Sequence, residues 1–143
     1  MRKYHILIAE DDADDRYLVQ TAFAERGIKE PVHFVHDGVA LIKWLEDLRD
    51  GKNSVEGFPC FILLDLNMPK KDGKEVLKTL KEHPEFRKIP VIVFTTTKNE
   101  QEIKICYELG ANTYIVKPPS FDALMDVLEG IRNYWFNLAS LAH

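Results

Sequence analysis

The chain has 143 residues and a formal net charge of -4 at pH 7, which suits one globular domain with a core of its own. The acidic balance does not favour a nucleic-acid-binding protein. No apolar run approaches the roughly 18 residues of a membrane span, and the N-terminus lacks an apolar signal region. Cys60 and Cys106 form no CxxC pair, so we expect two small core residues in a cytoplasmic protein.

Five short apolar runs predict β-strands. In chain order they are residues 4–9, 31–36, 60–65, 91–95 and 113–116. The third run is apolar without interruption until its final residue, Asp65. This pattern is typical of a strand buried on both faces of a parallel sheet.

A helical pattern follows each strand. The first three helices are predicted to bury, in turn, Tyr17, Leu18, Thr21 and Ala22; Leu41, Leu45 and Leu48; and Val76, Leu77 and Leu80. Asn99 and Ser120 suit the N-caps of the fourth and fifth helices. The fifth helix is expected to continue as a C-terminal extension over residues 132–143, with Trp135, Leu138 and Leu141 on one stripe.

Strands that alternate with helices predict right-handed βαβ units. We therefore expect an α/β fold, a doubly wound five-stranded parallel sheet with helices on both faces. Residues 1–143 are expected to form one domain. If the first strand is central, the carboxyl ends of the first, third, fourth and fifth strands lie close together, at the edge where such sheets bind ligands.

Charged and hydroxyl side chains stand at those four strand ends. They are Glu10 and Asp11, then Asp65, Thr95 and Lys117. Carboxylates about 5 Å apart repel each other by about 3 kcal/mol per pair at an effective dielectric of about 20. A hard cation relieves this repulsion, and we expect Mg²⁺.

The same edge suits phosphate chemistry. Lys117 and the Thr95 hydroxyl can bind phosphate oxygens. Because Thr96 follows Thr95, a slip of one residue would place Thr96 there instead. No GxxxxGK[ST] loop is present to hold a nucleotide, but a carboxylate can itself become an aspartyl-phosphate, and Asp65 has the position for it.

Together these motifs resemble the receiver domain of two-component response regulators, over almost the whole chain. The matching segments are Glu10-Asp11, Leu64-Asp65-Leu66-Asn67-Met68-Pro69, Asp72-Gly73, Thr95 and Lys117-Pro118. The resemblance implies a flavodoxin-like sheet of strand order 2-1-3-4-5. It also implies a phosphoacceptor signalling protein rather than a conventional enzyme.

The resemblance implies a role for each site residue. Asp65 is the phosphoacceptor; Asp11, Asp65 and the backbone carbonyl of Asn67 bind Mg²⁺ directly, and Glu10 binds it through water; Lys117 and Thr95 contact the phosphoryl group. Tyr114 matches an aromatic residue that rotates inward when the threonine moves. The Lys117–Pro118 peptide is expected to be cis, as is typical of the family.

The resemblance also implies partners. A sensor histidine kinase would phosphorylate Asp65, and an unidentified downstream protein would read the face formed by the fourth helix, fifth strand and fifth helix. The long connection before the third strand and the C-terminal extension are similar to small stand-alone regulators partnered with phytochrome-type histidine kinases. Some of these form homodimers through that face, so a homodimer is a further expectation.

Other interpretations remain open. Glu10 and the Asp65-x-Asn67 pattern are similar to the metal site of Toprim-type nucleases, although that site has Asp where Asn67 stands. A receiver that works as a scaffold without phosphorylation is a third possibility. Asp12 is expected to cap a helix or support the site, and the remaining acids before Arg16 are interpreted as a solvated helix start.

Overall fold

A computed structural model describes residues 4–53, 55, 57–68 and 72–138. The strands are β1 (Ile6–Ala9), β2 (Val32–Val35), β3 (Phe61–Leu64), β4 (Val91–Thr95) and β5 (Thr113–Val116). The helices are α1 (Ala13–Glu25), α2 (Gly38–Arg49), α3 (Gly73–Glu82), α4 (Glu100–Glu108) and α5 (Phe121–Asn133). A 3₁₀ turn (Phe86–Lys88) precedes β4, and a π-helical turn (Tyr134–Leu138) follows α5.

All strand pairs are parallel, and the sheet order is β2-β1-β3-β4-β5. This confirms the predicted doubly wound, flavodoxin-like sheet. The order places β1 and β3 side by side at the centre, with β4 and β5 following on the β3 side. The polar residues that follow these four strands therefore share one edge of the sheet.

Alternation of side chains along each strand divides the core in two. Residues such as Leu7 and Leu64 pack under α2, α3 and α4. Their neighbours Ile8 and Leu63 pack under α1 and α5. Cys106 lies in the first cluster and Cys60 in the second, both buried and neither in a disulfide, as predicted.

The predicted inward face of α1 is correct for Ala22 and wrong for Tyr17 and Leu18. Tyr17 is 66% exposed and Leu18 is 41% exposed, whereas Val19, Ala22 and Phe23 are buried against the sheet. The helix is nearly as polar on one side as on the other, so a short apolar pattern did not define its rotation. Phe23 and the β-branched Val19 fill the space above β1 and β3.

The C-terminal segment differs from a simple continuation of α5. After Asn133 the backbone changes to the π-helical turn. Trp135 and Phe136 pack against the α1/α5 side of the core, and the Phe136 ring lies 5.3 Å from the Tyr4 ring and 5.7 Å from the Phe61 ring. Part of the predicted stripe thus covers the domain itself. Pro69 of the β3–α3 loop and Leu141 lie outside the described residues, as does the side chain of Leu138.

Candidate active site at the carboxyl edge of the sheet

Three carboxylates meet where β1 and β3 end. Glu10 and Asp65 are buried, while Asp11 is exposed. One oxygen from each lies within 4.8 Å of the others. The backbone keeps this arrangement, because the Asp65 N–H donates to the Ala9 carbonyl at 3.2 Å and prolongs the β1–β3 ladder by one residue. The donor set is all oxygen, which fits a hard divalent cation.

Lys117 joins this cluster from the end of β5. Its Nζ donates to Asp65 Oδ2 at 3.1 Å, to Asp15 Oδ2 at 3.2 Å and to Glu10 Oε1. An ammonium group can donate three hydrogen bonds, so carboxylates use its full capacity. Its side chain is only 12% exposed. The cation is therefore fixed beside Asp65 rather than moving freely in solvent.

Burial is the largest single influence on the pKa values of Glu10 and Lys117. It raises the pKa of Glu10 to about 7; the nearby Asp65 charge adds to this effect, and the Lys117 hydrogen bond opposes it. Burial by itself would lower the pKa of Lys117, but the hydrogen bond to Glu10 and the charges of Asp65 and Glu10 raise it above its ordinary value. Lys117 is thus firmly cationic, and the surrounding acids still carry more negative charge than it neutralises.

Thr95 brings a buried hydroxyl to the end of β4. Its Oγ1 has no hydrogen-bond partner among the described residues, whereas Thr96 is exposed. The Thr95 carbonyl accepts the Lys117 N–H at 2.8 Å, so the two residues also share the β4–β5 ladder. An unpaired buried hydroxyl costs about 1–3 kcal/mol. An acceptor oxygen that arrived at this hydroxyl would recover that free energy.

Asn67 and Gly73 shape the loop after β3. The Asn67 N–H donates to Asp65 Oδ1 at 3.1 Å, which closes a local turn around the carboxylate. Gly73 starts α3 directly against this turn: a Cβ there would lie 2.7 Å from the Asp65 carbonyl and 2.5 Å from the Leu66 Cα. The metal-ligand role of the Asn67 carbonyl stays a prediction.

Tyr114 connects β5 to the loop between β4 and α4. Its hydroxyl donates to the Thr97 carbonyl at 2.7 Å, and its N–H donates to the Tyr107 hydroxyl at 3.0 Å. The ring is partly buried against the α2/α3/α4 side of the core. Tyr114 thus holds the backbone two residues beyond Thr95.

The predicted cis peptide at Lys117–Pro118 is wrong, because none of the peptide bonds in the described residues is cis. The Lys117 backbone remains in the β4–β5 ladder, and its side chain reaches the carboxylates from that position.

Two site neighbours were missed from the sequence, namely Asp15 and Arg16. Asp15 binds Lys117, and Arg16 Nη1 donates to the backbone carbonyls of Glu10 at 3.0 Å and Asp11 at 2.8 Å. They belong to the stripe of α1 that includes Val19, at helical spacings of three and four. The correct rotation of α1 would have revealed them. Asp12 is the N-cap, as expected, and accepts the Asp15 N–H at 2.9 Å.

The response regulator receiver domain matches this chain over residues 6–129. This chain belongs to the response regulator receiver family. It is 38% identical over 136 residues to the response regulator Rcp1 of Synechocystis sp., which covers 95% of this chain and 91% of Rcp1. It is also 27% identical over 124 residues to the chemotaxis protein CheY1 of Helicobacter pylori, over 87% of this chain and 93% of that protein.

Solved structures agree with this assignment. The phosphorylated cyanobacterial phytochrome response regulator RcpA has a TM-score of 0.88 and 36% identity to this chain, over 99% of each chain. The Mn²⁺-bound form of Rcp1 has a TM-score of 0.84 and 36% identity, over 98% of this chain and 99% of that one. Receiver domains bind a divalent metal, and the cluster of Glu10, Asp11 and Asp65 fits one. Among the helices that the structure describes, none is both long and apolar enough to cross a membrane.

Proposed function

We propose that this receiver domain accepts a phosphoryl group on Asp65 from a sensor histidine kinase in a Mg²⁺-dependent reaction. The observation that supports this is the arrangement around Asp65. A buried carboxylate ends a rigid central strand, with the Lys117 ammonium 3.1 Å away and the oxygens of Glu10 and Asp11 within 4.8 Å. We also propose that residues 1–143 form one receiver domain that works in the cytoplasm without binding nucleic acid.

The transfer is a displacement at phosphorus. An Asp65 carboxylate oxygen forms the new P–O bond while the P–N bond to the kinase histidine breaks. The electron pair of that bond goes to the imidazole nitrogen, which then takes up a proton. Lys117 donates to a phosphoryl oxygen and offsets the charge that develops there. The Asn67 N–H, which donates to Asp65 Oδ1, restrains the carboxylate during attack.

Mg²⁺ would be held by Asp11, Asp65 and the Asn67 carbonyl, with Glu10 contacting it through water. When bound, it supplies positive charge to the phosphoryl oxygens. Held by these residues, it would offset the repulsion among the carboxylates, including the Asp65 charge that adds to the effect of burial on the pKa of Glu10. Lys117, which now donates to Glu10, Asp15 and Asp65, would exchange one of these hydrogen bonds for one to a phosphoryl oxygen.

The signal would pass through Thr95 and Tyr114. The unpaired Thr95 hydroxyl moves to a phosphoryl oxygen, and this movement shifts the following loop, where the Thr97 carbonyl accepts the Tyr114 hydroxyl. Tyr114 then rotates inward, and the face of α4, β5 and α5 changes shape. This is a shift between two packings rather than a new fold.

The kinase partner is proposed to be of the phytochrome type. Support comes from the similarity to RcpA, which is a cyanobacterial phytochrome response regulator, over nearly the whole of both chains. A homodimer through the α4–β5–α5 face and the C-terminal extension is a further proposal, which rests on the resemblance of the sequence to small regulators of this type. A downstream protein would read this face after phosphorylation.

Incubation with Mg²⁺ and acetyl phosphate, followed by intact-mass measurement, tests the central proposal. We expect an added mass of one phosphoryl group that is lost in base and retained in acid. Asp65→Asn and addition of EDTA should each prevent it, whereas Asp72→Asn, a change at the nearby α3 N-cap, should not. Absence of the adduct in the wild type would favour the scaffold interpretation, and metal-dependent cleavage of DNA or RNA would favour the nuclease interpretation.

A further inference from the structure

Arg16 lies in the first turn of α1 and contacts the backbone carbonyls of Glu10 and Asp11. We propose that Arg16 is a positioning residue that fixes the backbone of Glu10 and Asp11 and thereby sets the metal affinity of the site. This inference rests on the proposed metal-dependent function. Arg16 contacts neither the metal position nor Asp65 in the described hydrogen bonds; its role is exerted through the two acids.

The geometry involves one guanidinium nitrogen and two carbonyl oxygens. Arg16 Nη1 donates to the Glu10 carbonyl at 3.0 Å and to the Asp11 carbonyl at 2.8 Å. Both carbonyls belong to the residues whose side chains form the cluster. A single donor that bridges them fixes the relative orientation of two successive peptide groups. These two peptide groups flank the Cα of Asp11, so the direction in which the Asp11 side chain leaves the backbone is restrained as a consequence.

The turn requires such a partner because it belongs to no regular element. β1 ends at Ala9 and α1 begins at Ala13, so the Glu10 and Asp11 carbonyls lie outside the strand ladder and before the helix. The first helical acceptor is Asp12, whose carbonyl receives the Arg16 N–H at 3.0 Å. Backbone carbonyls between elements need hydrogen bonds from elsewhere. Arg16 provides charge-assisted bonds, which are stronger than neutral ones.

Other contacts fix Glu10 from the opposite sides. Its N–H donates to the Val35 carbonyl at 3.0 Å, and its side-chain Oε2 accepts the Asp12 N–H at 3.3 Å. Asp11 is exposed, and its carbonyl bond to Arg16 ties it to α1. Loss of Arg16 should therefore loosen Asp11 more than Glu10. Of these two acids, Asp11 is the one that we propose binds the metal directly.

Two effects of Arg16 on metal binding have opposite signs. Its positive charge repels a divalent cation, so charge removal alone would tighten binding. Its hydrogen bonds hold the ligands in place, so their removal would weaken binding. Loss of residues that orient metal ligands typically costs about 10–100-fold in affinity. Because a partly exposed charge is screened by solvent and salt, we expect the positioning effect to be the larger.

The test is the dissociation constant for Mg²⁺ and for Mn²⁺, measured by titration calorimetry on the full chain. We expect Arg16→Met to bind each metal at least about tenfold more weakly than the wild type. Arg16→Lys keeps the charge and one donor nitrogen, so its metal affinity should lie between those of the wild type and Arg16→Met. Equal or tighter binding by Arg16→Met would overturn the proposal.

Arg26→Met is a matched control at the C-cap of the same helix. Arg26 pairs with Asp126 at 2.7 Å and Glu129 at 2.8 Å, far from the acids in sequence, and ties α1 to α5. Its loss should lower stability in urea without changing the metal dissociation constant. If Arg26→Met weakens metal binding as much as Arg16→Met, a general loosening of α1 explains both and the positioning role is rejected.

Phosphorylation kinetics give a second measurement. With acetyl phosphate, Arg16→Met should need a higher Mg²⁺ concentration for half-maximal rate but approach the wild-type rate at saturation. A lower plateau with unchanged half-saturation would contradict a role through the metal. Failure of the wild type to form the Asp65 adduct would instead reject the proposed function, and that result is read independently of any Arg16 variant.

Discussion

At the scale of one residue, Thr95 has a buried hydroxyl for which the described part of the chain provides no hydrogen-bond partner. The side chain is fully buried and ends β4 beside the acidic edge of the sheet. Buried polar groups in proteins almost always have hydrogen-bond partners. An exception at a site that also holds Lys117 and Asp65 is most simply explained by an oxygen ligand that is bound for part of the time. In the function proposed above, that ligand is a phosphoryl oxygen.

Thr95→Val keeps the shape of the side chain and removes the hydroxyl. Because the hydroxyl is unpaired, we expect the free energy of unfolding of the unphosphorylated protein to stay the same or rise by about 1 kcal/mol. Phosphorylation should change the amide-exchange rates of α4 and β5 less in Thr95→Val than in the wild type. Thr95→Ser is the control that retains the hydroxyl and should retain the change. A Val variant that is clearly less stable would show that the hydroxyl has a stabilising partner.

Elements set the distances within the site, and α3 shows this through its first residue. Gly73 lets the helix begin in contact with the loop that carries Asp65: its N–H donates to the Leu66 carbonyl at 3.1 Å. There is no space for a Cβ between the two segments. The glycine therefore serves close approach of two backbones rather than a special backbone conformation.

Gly73→Ala should push the β3–α3 loop away from α3. We expect a loss of about 1–3 kcal/mol in urea-induced unfolding, as for other overpacked sites, together with weaker Mg²⁺ binding because Asp65 and Asn67 move. Gly130→Ala, the same change in α5, is the control. A Cβ at Gly130 meets nothing within 4 Å, so this variant should gain up to about 1 kcal/mol from helix propensity. Equal effects of the two substitutions would contradict the steric argument.

At the scale of the whole molecule, α5 is tied back to the start of the sheet. Arg132 forms a two-point pair with Glu30, with Nε to Oε1 and Nη2 to Oε2 both at 2.8 Å. Glu30 lies in the connection between α1 and β2, 102 residues before Arg132 in the sequence. The pair is partly buried, and the hydrogen bond to Arg132 lowers the pKa of Glu30 although burial opposes this.

This pair should make stability depend on acid pH. The folded pKa of Glu30 lies below its ordinary value of 4.5, so its contribution is present above that pH and is lost as the pH falls through the folded pKa. We expect Arg132→Met to lose about 1 kcal/mol at pH 7. The difference between wild type and variant should narrow on acidification below about 4.5 in urea titrations at each pH.

Lys43→Met removes a solvent-exposed pair with Asp47 on α2 and serves as the comparison. It should change stability by less than about 0.5 kcal/mol, with no change in the acid region. A difference for Arg132→Met that is constant from neutral to acid pH would mean that packing, rather than the pairing with Glu30, is responsible.

Strand ends and turn chemistry made the fold and the main site residues readable from the sequence. The bounds of β4 and β5 agree with the structure, and Asn99 and Ser120 cap their helices as predicted. Apolar runs that end at Asp65, at Thr95 and directly before Lys117 define a common edge once the strands are parallel. These signals are local, because each depends on a few adjacent residues and on the period of a strand or cap.

Tertiary structure decided what local patterns could not. The rotation of α1 depends on how Val19 and Phe23 fill the space above β1 and β3, and it alone brings Asp15 and Arg16 to the site. The burial of the Thr95 hydroxyl without a partner among the described residues and the packing of Phe136 on Tyr4 likewise depend on distant neighbours. The sequence by itself determined which side chains stand at the sheet edge. Packing between elements determined how they are oriented and which groups hold them there.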